Sequence, residues 1–185
     1  MPPHAQLDAP EVVVKEALRL GWTPANVPGD SGGITPYVVH GWLGDGGDGH
    51  EADYTVTVSN PQENPVGGGQ TGYSGMAGDG SGPVQRFSGT VTVNTWAKAG
   101  WTGLNGHSAN PRKTAHYLKR EVERILFEND DGQIPDGQGG EQDTSLDYLG
   151  SQGSTRFVED AEDPEDAPMY RYQVTVGYGY HVDPA

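Results

Sequence analysis

Near its C-terminus the chain alternates without a break: Tyr170, Tyr172, Val174, Val176, Tyr178 and Tyr180 fall on one side, and Arg171, Gln173, Thr175, Gly177, Gly179 and His181 on the other. Successive side chains of a strand point to opposite faces, so this segment is predicted to be a long strand with one aromatic and aliphatic face. Phe87, Gly89, Val91, Val93 and Thr95 repeat the same period and predict a central strand over 87–96. Tyr54, Val56 and Val58 alternate with Thr55 and Thr57, which predicts a half-buried strand. Shorter strands are expected at Tyr37-Val38-Val39, running towards Trp42, and at Arg156-Phe157-Val158.

Two segments carry the helical period instead. In the first, Val13, Ala17 and Leu20 share a face. Asp8 and Glu11 have the spacing of a capping box, Pro10 suits the first turn, and Gly21 is the expected stop. In the second, Ala115, Leu118, Val122, Ile125 and Leu126 form an apolar stripe, opened by Asn110 as cap and Pro111 in the first position.

Three stretches carry no period. Residues 60–83 hold eight glycines, three prolines and no Lys or Arg, and are expected to form a flexible Gly-rich insertion. Residues 129–150 read as a long acidic loop. Residues 159–168 place six carboxylates in ten positions, the composition of an exposed hairpin tip or loop. The order helix, strands, helix, hairpin predicts a single α+β domain over 1–185. It is an antiparallel sheet with two helices packed on one face and long Gly-rich and acidic loops.

Composition changes this picture in two ways. Gly and Pro supply 29 and 14 of the 185 residues, so the core is expected to be small and the loops long. The net charge is −15, from 11 basic and 26 acidic residues, with lysine only at 15, 98, 113 and 119. Such a surface repels itself in dilute buffer. About 1 M salt shortens the screening length to about 3 Å and removes that penalty, so the composition suits a halophile. The absence of cysteine excludes disulfides, thiolate metal sites and thiol nucleophiles. Met1-Pro2-Pro3-His4 has no basic flank or apolar stretch, so no Sec-type signal is expected, and no apolar run is long enough to span a membrane.

Candidate chemistry is sparse. Asp45, Asp48, Glu51 and Asp53 surround His50, but their spacing is not that of an EF-hand loop. Counting from Asp130, Glu141 falls at the twelfth position, but Gly132, Ile134 and Pro135 occupy the third, fifth and sixth, so the EF-hand reading fails there too. The six histidines make no H-E-x-x-H or close zinc-spaced pair, although His40 and His50 could meet across a hairpin. No G-x-S-x-G or phosphate-binding glycine loop is present.

The second helix stands out. It carries five of the 11 basic residues, and Lys113, Arg120 and Arg124 lie within about 40° of each other opposite the apolar stripe. An acidic patch on another subunit, nucleic-acid phosphates, and a solvated face paired with Glu121 and Glu123 are three readings of that arc.

Phe87–Trp96, Pro111–Leu126 and Met169–Tyr180, in this order and with an N-terminal helix before them, resemble the tail terminator (tail-completion) proteins of long-tailed phages. With the acidic composition, the resemblance implies a tailed virus infecting a haloarchaeon. It implies a ring, usually a hexamer, that caps the tail tube and joins it to the neck below the capsid. The partners would be other copies of the chain, the tail tube protein and a neck or connector protein. DNA would pass through the lumen without specific binding, and no membrane would be involved. No catalytic residue or cofactor is implied. Lys113, Arg120 and Arg124 become candidates for the subunit interface, and Glu159, Asp160, Glu162, Asp163, Glu165 and Asp166 for a lumen or tube contact. The insertion at 60–83 and the loop at 129–150 depart from the family pattern. Another head–tail connector or tube protein, and a haloarchaeal soluble enzyme or binding module, are the alternative readings.

Overall fold

The computed structural model describes residues 9–29, 32–41, 52–66, 73–76, 83–98, 100–102, 108–152, 156–160 and 169–182. Helix α1 spans Pro10–Gly21 and helix α2 spans Pro111–Glu128. The strands of the main sheet are β1 (Tyr37–His40), β2 (Tyr54–Val66), β3 (Tyr73–Met76), β4 (Pro83–Ala97), β9 (Tyr148–Ser151), β10 (Arg156–Asp160) and β11 (Met169–Val182). Two small ladders complete the described structure: β5 (Trp101–Thr102) with β6 (Ser108–Ala109), and β7 (Gln133–Pro135) with β8 (Glu141–Asp143).

The sheet runs β1-β2-β4-β11-β10, with β3 on β4 and β9 on β11. The two longest strands, β4 and β11, pair antiparallel from Tyr170↔Ala97 to Val182↔Gln85. That register puts Val91 opposite Val176 and Val93 opposite Val174, while β2 sets Val58 opposite Val93. These valines are fully buried and face Val13, Val14, Ala17 and Leu18 of α1 and Val122, Ile125 and Leu126 of α2. Both helices therefore cover one face of a mostly antiparallel sheet, which is the α+β class that the periodicity predicts.

One pairing departs from a simple meander. β1 and β2 are parallel, in register from Tyr37↔Thr55 to His40↔Val58. Parallel neighbours need a crossover of about a dozen residues, and the chain between the two strands is long enough to supply it. The expected run of β1 towards Trp42 falls outside the described residues.

Over residues 55–59 the second face of β2 is also closed. Thr55, Thr57 and Ser59 are buried along with Val56 and Val58, so the strand is not half-buried as its alternation suggests. On that face Trp96 donates its indole N–H to Thr57 Oγ1 at 3.3 Å, and the Arg171 guanidinium lies 4.9 Å from the Trp96 ring centroid. An aromatic ring lying over threonines removes them from water without making them apolar.

The segments read as loops hold more strand than expected. β2 continues through 60–66 after a register shift between Ser59 and Gln62, and β3 lies within 60–83. Residues 129–150 contain the β7–β8 hairpin and most of β9, anchored by Ile134, Leu146 and Leu149 in the core. Three apolar side chains are enough to seat a segment whose remaining residues are polar.

Helix α1 buries Leu18 in place of Leu20, which turns towards Gly137 beyond β7. Its N-cap is Ala9, without a side-chain cap bond, and Asp8 lies outside the described residues. Gly21 closes α1 against α2, where a Cβ would sit 3.1 Å from Ile125 Cγ2. In α2, Asn110 Oδ1 accepts from Lys113 N–H at 2.9 Å, and Pro111 needs no partner for its nitrogen. Asn110→Ala is expected to lower stability by about 1 kcal/mol, read as a shifted urea midpoint with unchanged slope.

Candidate functional site

The outward face of α2 is built by its own periodicity. With Ala115, Leu118, Val122, Ile125 and Leu126 in the core, residues at seven-residue steps from Lys113 must face away from it. Lys113, Arg120 and Phe127 occupy those steps and are exposed, Phe127 to 78%. The Lys113 ammonium lies 5.9 Å from the Tyr117 ring centroid. Lys119 pairs with Glu123 at 2.8 Å. His116 stands beside Tyr172 of β11, with ring centroids 5.4 Å apart. Burial, reinforced by Lys119 and Arg120, pushes the His116 pKa below its ordinary value and so favours the neutral imidazole.

Arg124 does not join that face. It reaches back over α1, donating from Nη2 to the Gly21 carbonyl at 2.8 Å and to Glu121 Oε1 at 2.5 Å, and from Nε to Glu121 Oε2 at 2.9 Å. It also pairs with Glu128. Glu121 is the centre of this cluster and is only 3% exposed. Its carboxylate also accepts from Thr23 N–H and from Asn26 Nδ2, both at 3.0 Å. The cluster thus ties α2 to the end of α1 and to the turn Pro24–Asn26. Burial raises the Glu121 pKa, but the bonds from Arg124, Thr23 and Asn26 outweigh it and hold the carboxyl below its usual range. Arg124 is raised in return, chiefly by the Glu121 bond.

The expected arc of three cations is therefore split. Lys113 and Arg120 face outward, and Arg124 is an internal tie. Nor is Glu121 a solvated partner on an exposed face. It lies one 40° step from Ile125, at the border of the apolar stripe, and that border position was the available signal.

The other candidates are less constrained. Glu159 and Asp160 close β10, where Asp160 lies opposite Met169. Glu162, Asp163, Glu165 and Asp166 fall outside the described residues, as do Asp45, Asp48, His50 and Glu51. His40 lies 3.8 Å from Glu11. At the far end of β11, Tyr178 stacks on Tyr180, with centroids 6.5 Å apart. Burial and the Glu63 carboxylate push the Tyr178 phenol up to about 12. Among the described residues no group of three or more His, Asp or Glu is arranged to hold a metal ion. No described helix is long and apolar enough to cross a membrane.

No protein-family model matches the chain, and no curated protein matches it in sequence.

Proposed function

We propose that this chain is a structural subunit that assembles with copies of itself into a closed ring. Following the family resemblance, that ring stands at the tail–neck junction of a virion, caps the tail tube and joins it to the neck below the capsid. The observation that supports this reading is the outward face of α2. In a chain of net charge −15, Lys113 and Arg120 share an exposed stripe with Phe127, on a helix whose opposite face is locked into the core. A rigid face that combines cations with an exposed aromatic ring is suited to a protein partner, since contact area and charge contribute together. The surrounding negative field opposes nucleic acid as that partner. The acidic composition supports a salt-rich host as the setting, and virion assembly is proposed to occur in that host's cytoplasm.

The test is the particle mass in about 2 M NaCl, where surface repulsion is screened, combined with negative-stain microscopy. A single closed ring supports the proposal. Long stacked tubes would indicate a tube protein, and a monomer would overturn the assembly role.

A further inference from the structure

The two helices treat their own dipoles in opposite ways. α1 has Glu11 in its first turn and Arg19 in its last, the arrangement that complements a helix macrodipole. α2 has no acid in its first turn and no base in its last. Instead Arg112 and Lys113 sit in its first turn and Glu128 at its end. The macrodipole does not account for these charges, although Glu128 has a partner in Arg124 one turn back.

The charge pattern continues past the helix. From Glu128 to Asp147 there are seven carboxylates and no Lys or Arg, and all seven are exposed. Asp136, Glu141 and Asp143 lie within the β7–β8 hairpin, the other four flank it in sequence, and the hairpin is tied by its own hydrogen bonds. Gln133 Nε2 donates to Asp143 Oδ1 at 2.8 Å, and Asp136 Oδ1 accepts from the N–H groups of Gln138 and Gly140 at 2.7 and 2.9 Å. Ile134 pins the hairpin to the core. Glu141 and Asp143, two apart on β8, share a face of it. One subunit therefore carries a cationic face on the N-terminal half of α2 and an anionic hairpin that follows its C-terminus. Lys113 and Glu128 are separated by about 22 Å along the axis at 1.5 Å per residue.

We infer that copies of this chain associate head to tail, the acidic β7–β8 hairpin of one docking on the Lys113–Arg120 face of α2 of the next. This rests on the assembly role proposed above and names its contact. The pairing is heterologous: each copy presents both halves at different places, so contacts propagate and close into a ring when the rotation allows. The chain's own charges favour a second copy as the occupant, because the cationic face and its complement are both on it. Both halves are ordered before they meet, which lowers the entropy lost on contact. Phe127, on the same stripe, supplies contact that salt does not screen.

Charge reversal tests this. Lys113→Glu with Arg120→Glu, and separately Glu141→Lys with Asp143→Lys, are each expected to weaken self-association at least tenfold, measured by sedimentation in about 0.5 M salt so that ion pairs still contribute. All four side chains are exposed, so both variants are expected to keep the far-UV circular dichroism of the parent. The variant with all four reversals is expected to assemble again, because each reversed hairpin meets a reversed helix. An oligomer indifferent to either pair of reversals, or no recovery in the fourfold variant, overturns the head-to-tail contact and leaves the assembly role standing. A monomeric parent overturns both.

Discussion

Val174→Asp is expected to abolish cooperative folding. Val174 is fully buried in β11, opposite Val93 of β4 and in the layer that meets both helices. Replacing it forfeits about 1.5–3 kcal/mol of apolar burial. It also places a carboxylate among Val91, Val93, Val176 and the core side chains of the helices, which cannot donate a hydrogen bond, while the nearby Thr95 hydroxyl already donates to the Ala115 carbonyl. If the new group ionises, desolvation costs several kcal/mol more; if it stays protonated, an unsatisfied hydroxyl and carbonyl remain buried. A domain of this kind has about 5–15 kcal/mol in total. The variant should show no cooperative urea transition and collapsed near-ultraviolet dichroism. Val174→Ala, which removes two methyl groups and adds no polar atom, is expected to fold with a loss of about 2 kcal/mol. If Val174→Asp gave a parent-like transition, the alternating face of β11 would not be the core face.

That face was legible because it depends on a period of two sustained over a long run, and nothing else in a chain imitates such a pattern. β4 was legible for the same reason, and α2 through its stripe and its Asn110-Pro111 start. What could not be read from alternation was what lies on the other side of a strand. Thr55 and Thr57 look like solvent-facing residues. They are buried because Trp96 and Arg171, far away in sequence, lie on their face. Parallel pairing of β1 with β2 is likewise a property of the path between them and not of either strand's residues. The β7–β8 hairpin was missed because Ile134, Leu146 and Leu149 are too widely spaced to register as a period. At the surface of α2, helix geometry placed Lys113 and Arg120 outward. It placed Arg124 with them because a wheel fixes only the direction of Cβ. A guanidinium on a long stem can turn towards a buried carboxylate and a helix-end carbonyl, which no wheel represents.

That turn makes Arg124 and Glu121 unequal partners, and their variants should separate. Arg124→Met removes the charge that compensates a carboxylate almost closed to water. Only the Thr23 N–H and Asn26 amide then remain to it. Stranding a buried charge costs about 3–5 kcal/mol, and the lower end applies here because Arg124 itself is partly exposed. Glu121→Gln should cost less, about 1–2 kcal/mol. The amide oxygen can still accept a bond, and Arg124 keeps Glu128 and the Gly21 carbonyl. The two losses should also respond to pH in different ways. In the parent the Glu121 pKa is below its unfolded value, so its contribution is present above about pH 4.5 and is lost as pH falls through the folded value. The gap between parent and Glu121→Gln should therefore close on acidification. In Arg124→Met burial acts with less opposition, so the Glu121 pKa moves up from its parent value, while the Thr23 and Asn26 bonds still hold it down. Acidification then costs this variant less than it costs the parent, so the variant should gain stability relative to the parent as pH falls from 7 to 4. Urea midpoints for the three proteins across that range measure both effects. Parallel curves would mean that Glu121 is not held ionised by Arg124, and the link between α1 and α2 would then rest on their shared core packing and the Arg124 bond to the Gly21 carbonyl.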